Sequence, residues 1–323
     1  MRINIVHVIA CVAVSACSCF ALGPMIEQGD RLLFVGNSFM GRHTGDQGGI
    51  DEFVTAVLQT AEPPVDIDAQ AIIYGGTGLG SMFTSLVQNA IRTMNFDYVI
   101  IVRGSDSDMM RFYNLCREVG SKLIIYAFWA RNPAIDDGLE TYERKTNQIT
   151  RDMRDFEEQT NGDVLIAPIA QAYAKMLLNP PKDGLRMDYL YQEDNIHENE
   201  LGHILSSYVF YSLFLARSPI GAPYYDKPRQ VVDGYLTFTQ MAYDDTMRLA
   251  VQTAAWEAYT EWYGEPSVAV TTPLAVHQGR DGAPGRAPDG GFSLLGQAAP
   301  RTTRHAAAGY RLQDGRLTPV GVR

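Results

Sequence analysis

Five apolar runs alternate with longer mixed segments through the first half of the chain. Arg31–Gly36 (RLLFVG), Asp66–Ile73, Tyr98–Arg103 (YVIIVR), Lys122–Phe128 (KLIIYAF) and the short Asp163–Ala167 (DVLIA) are the size of strands. Several are continuous in Val, Ile and Leu rather than alternating with polar residues, the pattern of parallel strands covered on both faces. The intervening stretches, roughly 50–61, 79–94, 107–119 and 138–161, are long enough for crossover helices. This alternation predicts a three-layer α/β/α sandwich around a five-stranded parallel, flavodoxin-like sheet.

Beyond the fifth run, Ile169–Leu178 predicts a short helix and 179–184 a polar loop. Leu201, Ile204, Leu205, Tyr208, Val209 and Ser212 recur at helical spacing, which predicts an amphipathic helix laid on the sheet. Met241, Met247, Val251, Ala254, Ala255, Tyr259 and Trp262 mark a last helix over about Thr237–Tyr263, with its aromatic residues in the core. From Glu265 the pattern dissolves: Gly, Pro, Ala, Thr and Arg dominate and lysine disappears. Such a segment cannot bury enough apolar surface to offset its ordering entropy, so 265–323 is expected to be a disordered tail, apart from any short pairing near Phe292–Leu295.

Composition narrows the class. The chain of 323 residues is 46% hydrophobic and 20% charged, an ordinary globular mixture with room for one large α/β domain or two smaller ones. Its 37 acidic residues outnumber 27 basic ones, for a net charge of -10, and no Lys/Arg stripe interleaves with aromatics; nucleic acid is not an expected partner. The N-terminus reads as an export signal over residues 1–22: Arg2 precedes an apolar stretch, Ile5 to Phe20, too short to span a bilayer. Two cleavage readings stay open. Val14-Ser15-Ala16-Cys17 resembles a lipoprotein signal with Cys17 as a lipid anchor, and Cys19-Phe20-Ala21 suits ordinary signal peptidase. Both predict an exported protein, periplasmic, extracellular or membrane-anchored, with one domain over 23–264. Cys116 is the sole cysteine beyond that leader and no pair has zinc spacing, so no metal site is expected.

Two short segments carry candidate chemistry. Gly36-Asn37-Ser38 ends the first predicted strand, where a doubly wound sheet collects its chemistry. Asp194-Asn195-Ile196-His197 precedes the helix that begins near Leu201. A serine hydroxyl is a weak nucleophile until a base takes its proton, and the base needs a third group to fix its tautomer. Ser38, His197 and Asp194 are the residue types for those roles. His203 competes as base but sits inside the helix; His43 lines the mouth of the site or is a solvated loop residue. Trp129, Arg131 and Asn132 follow the fourth strand on the same edge, and an aromatic with Arg and Asn suits carbohydrate hydroxyls; with Asn37 they are the candidate substrate contacts.

Taken together, the two motifs resemble those of the SGNH (GDSL-like) hydrolases, from about Arg31 to Tyr263. Gly36-Asn37-Ser38 matches that family's nucleophile turn and Asp194-Asn195-Ile196-His197 its base segment. The resemblance implies ester hydrolysis through an acyl-enzyme, without metal or organic cofactor, on a small-molecule or polysaccharide ester, by analogy with exported members an acetylated carbohydrate. It also implies an oxyanion hole from the Ser38 N–H and a glycine after the second strand, with Gly76 and Gly78 of Gly75-Gly76-Thr77-Gly78-Leu79-Gly80 as candidates. The family's third donor, an asparagine after the third strand, is here Asp106 in Gly104-Ser105-Asp106, and an ionised carboxylate accepts but cannot donate. Three arrangements stay open: Ser105 or Ser107 donates instead, Asp106 is protonated, or the backbone donors suffice. The competing expectation is a carbohydrate-binding or scaffold protein on the same fold with weakened catalysis, or an acyltransferase sharing the acyl-enzyme.

Overall fold

A computed structural model describes residues 23–41, 49–131, 138–182, 189–223 and 244–266, and the backbone of 309–313 and 316–320. The apolar runs become strands β1 (Arg31–Gly36), β2 (Asp68–Ile73), β3 (Tyr98–Val102), β4 (Lys122–Tyr126) and β5 (Leu165–Ala167). They lie side by side in the order β2-β1-β3-β4-β5, every pair parallel. β3 is buried along its whole length and β1 from Leu32 onwards, as their unbroken apolar sequences require. The edge strand β2 alone keeps a mixed pattern.

Helices α1 (Ile50–Leu58), α2 (Leu79–Met82), α3 (Ser85–Thr93), α4 (Asp106–Val119) and α5 (Leu139–Gln159) join the strands; α6 (Ile169–Leu178), α7 (Glu200–Leu215) and α8 (Asp245–Tyr263) follow. Helices cover both faces of the sheet, giving the expected α/β three-layer fold. α1 packs on α7, and α3 on α4. The strand order reverses between β1 and β3, the point at which open α/β sheets bind their ligands. Val35 pairs with Ile72 on one side and Ile101 on the other, so the residues after Gly36, Ile73 and Val102 share one rim.

Three elements differ from expectation. The single helix over 79–94 is broken at Phe83-Thr84, because Thr84 is extended and its hydroxyl accepts the Val87 N–H (3.4 Å), starting α3 afresh. α7 is not amphipathic: every residue from Leu201 to Leu215 is buried, since α1, α6, α8 and the sheet all pack on it. Of its serines, Ser207 and Ser212 donate to the Ile204 and Tyr208 carbonyls of the helix itself. In the tail, expected to lack structure, β6 (Gly309–Gln313) and β7 (Arg316–Val320) pair antiparallel. The sequence between them is Asp314-Gly315, a dipeptide favoured in hairpins and masked by the composition of the longer segment. Phe292–Leu295 and 237–243 lie outside the described residues.

Helix α7 approaches the core at Gly202. A Cβ there would overlap the Tyr173 hydroxyl and come within 2.7 Å of Glu198 Cβ and 2.8 Å of the Leu190 carbonyl. Gly202→Ala is therefore expected to cost about 3 kcal/mol or more by overpacking. A thermal melt should show the midpoint lowered by roughly 6–12 °C; an unchanged midpoint would mean that α7 has room to shift.

Candidate active site

β1 ends at Gly36, where a side chain would crowd Met40. A Cβ at that position would lie 2.5 Å from Met40 Sδ and 3.0 Å from Met40 Cβ. The chain folds back at once: the Asn37 carbonyl accepts the N–H groups of Met40 (3.0 Å) and Gly41 (3.1 Å), which puts Ser38 on the outside of a tight turn. The Asn37 side chain serves the same turn. Its Oδ1 accepts the Phe39 N–H (3.0 Å) and its Nδ2 donates to the Thr77 carbonyl (3.2 Å). Thr77 lies between Gly76 and Gly78, so the nucleophile turn and the glycine loop after β2 are tied together. The Tyr74 N–H, donating to the Gly36 carbonyl (2.8 Å), makes a second tie. Asn37, expected to touch substrate, spends its oxygen and one amide hydrogen on positioning. Gly76 takes a left-handed φ of 68°, which glycine adopts without strain.

The base arrives on a separate loop. Residues Tyr191 and Glu198 form an isolated antiparallel bridge, and the Gln192 N–H donates to the His197 carbonyl (2.8 Å). Asn195 turns the loop with φ 57°, a conformation asparagine tolerates better than most residues. The three-residue spacing of Asp194 and His197 then has a physical reason. Asp194 Oδ1 caps its own turn by accepting the N–H groups of Ile196 (2.9 Å) and His197 (3.0 Å), which leaves Oδ2 against His197 Nδ1. On the far side of the ring, His197 Nε2 is 2.9 Å from Ser38 Oγ. With Nδ1–H donating to the carboxylate, Nε2 is the acceptor that a serine proton needs.

The surroundings of Asp194 keep it ionised. Partial burial pushes its carboxyl up, but the backbone N–H groups of His197 and Ile196 and the His197 ring outweigh this and hold it below the usual aspartate range. A depressed carboxyl contributes fully above its unfolded pKa and loses that contribution only as pH falls through the lower, folded value. The orienting charge therefore persists to more acid pH than a free aspartate would allow.

Other expected site residues fare differently. Trp129 is 2% exposed and cannot offer a platform to a sugar; its Nε1 donates to the Ile196 carbonyl (3.0 Å) and its ring lies on Tyr173, 4.6 Å away and nearly parallel. Arg131 is exposed, while Asn132, His43 and Cys17 lie outside the described residues. Asp106 is exposed in the first turn of α4, where an acidic side chain suits the positive helix end. Ser105 and Ser107 do not replace it. The Ser105 hydroxyl donates to Asp108 (2.6 Å) and accepts the Asp108 N–H (3.3 Å), and Ser107 bonds to Ser105 (3.1 Å). His203 is buried, stacked on Phe53 at 5.0 Å and set against Glu198.

Two aromatics that no motif marks lie beside the relay. Phe39, directly after Ser38, lies 5.5 Å from the His197 ring and stacks on Phe128 at 4.4 Å; the Arg103 guanidinium covers the Phe128 ring at 4.1 Å. Phe128 ends the fourth apolar run, so its place at the strand rim was readable, but its pairing with Phe39 was not. Among the described residues, no group of three or more His, Cys, Asp or Glu is placed to hold a metal ion.

Solved structures similar to this chain include a DUF4886 family protein from Bacteroides uniformis, 13% identical with a TM-score of 0.53 over 74% of this chain and 96% of that one. A lipase/acylhydrolase from Enterococcus faecalis is 12% identical over 58% of this chain and 96% of its own, TM-score 0.43. An acetyl xylan esterase is 14% identical over 57% and 98%, TM-score 0.44. At these identities the likeness is one of fold. No protein-family model and no curated protein matches the sequence.

Proposed function

We propose that this chain is a serine esterase that hydrolyses acyl esters through Ser38, His197 and Asp194. The observation that carries the reading is the continuous relay from Ser38 Oγ to His197 Nε2 (2.9 Å) and from His197 Nδ1 to Asp194 Oδ2. It joins residues 159 positions apart in sequence, which no local turn accounts for.

The chemistry follows from the donors and acceptors. His197 Nε2 takes the hydroxyl proton as Ser38 Oγ attacks the acyl carbon. The tetrahedral oxyanion is held by the Ser38 N–H and by a glycine N–H, Gly76 or Gly78, which the Asn37–Thr77 bond keeps beside the nucleophile turn. His197 returns the proton to the departing alcohol. Water, deprotonated by the same nitrogen, then attacks the acyl-enzyme, and collapse of the second tetrahedral species gives the proton back to Ser38 and frees the acid. A donor side chain in the hole is typically worth about 2.7–4 kcal/mol; with Asp106 in that place, this site relies on backbone donors and runs slower than one that has the third.

The acyl group is acetyl and the alcohol a carbohydrate hydroxyl in this reading, which here rests on the motif resemblance; Arg131 is the exposed polar contact it names among the described residues. The same reading takes the protein as exported, with Cys17 as its anchor if the leader is of lipoprotein type.

Purified protein should release p-nitrophenol from p-nitrophenyl acetate with saturable kinetics, well above the buffer rate. Background hydrolysis together with measurable binding of an acetylated oligosaccharide would favour the scaffold reading that Asp106 suggests.

A further inference from the structure

His197 is held from both sides by residues that touch neither Ser38 nor any reacting atom. On one side, the Ile196 carbonyl accepts the Trp129 indole N–H (3.0 Å). On the other is Glu198, whose carboxyl group is wholly buried. Three hydroxyls converge on that carboxyl. Tyr173 donates to Oε2 (2.8 Å), Ser206 to Oε2 (3.1 Å) and Tyr126 to Oε1 (3.1 Å). His203 Nδ1 lies 2.7 Å from Oε1, off the direction a hydrogen bond needs.

These partners come from β4, α6 and α7, so one acid ties the catalytic loop to three elements of the core. Burying a carboxyl is costly unless its oxygens are satisfied, and here both oxygens accept hydroxyl hydrogen bonds. Burial, and then the Glu198 charge, push the Tyr126 and Tyr173 phenols far above their ordinary values, so both stay protonated donors. The two anchors are joined, because Trp129 lies flat against the same Tyr173 that bonds Glu198.

Position 198 pairs with Tyr191 in an isolated β-bridge. Glu198 is wholly buried, while the preceding His197 faces Ser38. An error in seating Glu198 passes directly to the imidazole.

We propose that Glu198, together with Trp129 and Tyr173, forms a clamp that positions the catalytic base, so that reactivity of Ser38 depends on a buried acid outside the Ser-His-Asp relay. This rests on the esterase reading above. Near-attack geometry is steep enough that misplacing a catalytic group by about 1 Å can cost about 100-fold in rate.

The test compares wild type with Glu198→Gln and Tyr173→Phe, reading kcat and KM for p-nitrophenyl acetate and the second-order rate of fluorophosphonate labelling at Ser38. Glu198→Gln should lower kcat and the labelling rate by about 10- to 100-fold with KM within about twofold. Tyr173→Phe, which keeps the ring on Trp129 and removes one hydroxyl, should show a smaller fall in the same two quantities. A role confined to stability would lower the melting midpoint and leave both rates of the folded protein at wild-type values, and that result overturns the proposal. If Glu198→Gln does not fold, Tyr173→Phe decides on the same criteria. A wild-type protein that labels at Ser38 while both variants label equally fast refutes the clamp alone; a wild type that does not label refutes the esterase reading and the clamp with it.

Discussion

Ser38→Ala is expected to lower kcat for p-nitrophenyl acetate on the order of 10⁶-fold, the loss seen when a serine nucleophile that acts as a unit with its base is removed. The hydroxyl is the only group on the relay that can form the acyl-enzyme, and no neighbouring side chain replaces it: Asn37 and Phe39 are committed to the turn and to the aromatic stack. Residual activity of about 10³-fold over water should persist from the oxyanion donors and binding. The fold should not notice, because the turn is closed by the Asn37 carbonyl rather than by the Ser38 side chain. His197→Ala should cost about as much, and the double variant little more than either single one, because each step needs both groups. Steady-state kinetics on the three variants, with a thermal melt for each, checks this. Losses that multiply in the double variant would mean that serine and histidine work independently.

Asp194→Asn should lower kcat on the order of 10⁴-fold while KM stays near its wild-type value. The substitution is nearly isosteric, and its amide oxygen can still accept the Ile196 and His197 N–H groups that shape the loop. What changes is the other end. An amide NH₂ facing His197 Nδ1 donates where the carboxylate accepted, so Nδ1 must be the unprotonated nitrogen and the proton moves to Nε2. Nε2 then presents a hydrogen to Ser38 Oγ and cannot take one. The loss of the imidazolium's partner adds to this, since the wild-type carboxyl is held below its ordinary value and stays charged through the working range. A drop of less than about tenfold would show that the imidazole is oriented by the loop backbone without help from Asp194.

Much of this architecture was legible in the chain, for reasons specific to each element. β3 and β4 read as strands because YVIIV and LIIY leave no polar face for solvent, and β3 is buried throughout and β4 from Leu123 onwards. The relay was legible because Gly36-Asn37-Ser38 and Asp194-Asn195-Ile196-His197 each combine chemistry with a local turn that can be reasoned from spacing. Burial of α7 on all sides was not legible, because the residues on its outer face are covered by α1 and α8, which lie far off in sequence. Trp129 was misread for a similar reason: an indole at a strand end suits a ligand platform until Tyr173 is known to occupy its face. Glu198 was invisible. It sits in Gln192-Glu193-Asp194-Asn195-Ile196-His197-Glu198-Asn199-Glu200, a run in which three other acids make a solvated loop the natural reading, and only tertiary contacts single out the one that faces inwards.

The most direct measurement is the site of covalent labelling by a fluorophosphonate, located by mass spectrometry of proteolytic fragments. One stoichiometric adduct is expected, on Ser38, formed rapidly in the wild type and lost on the scale of the catalytic defect in His197→Ala. An adduct on another residue, or labelling of Ser38 at the same rate without the imidazole, would contradict it.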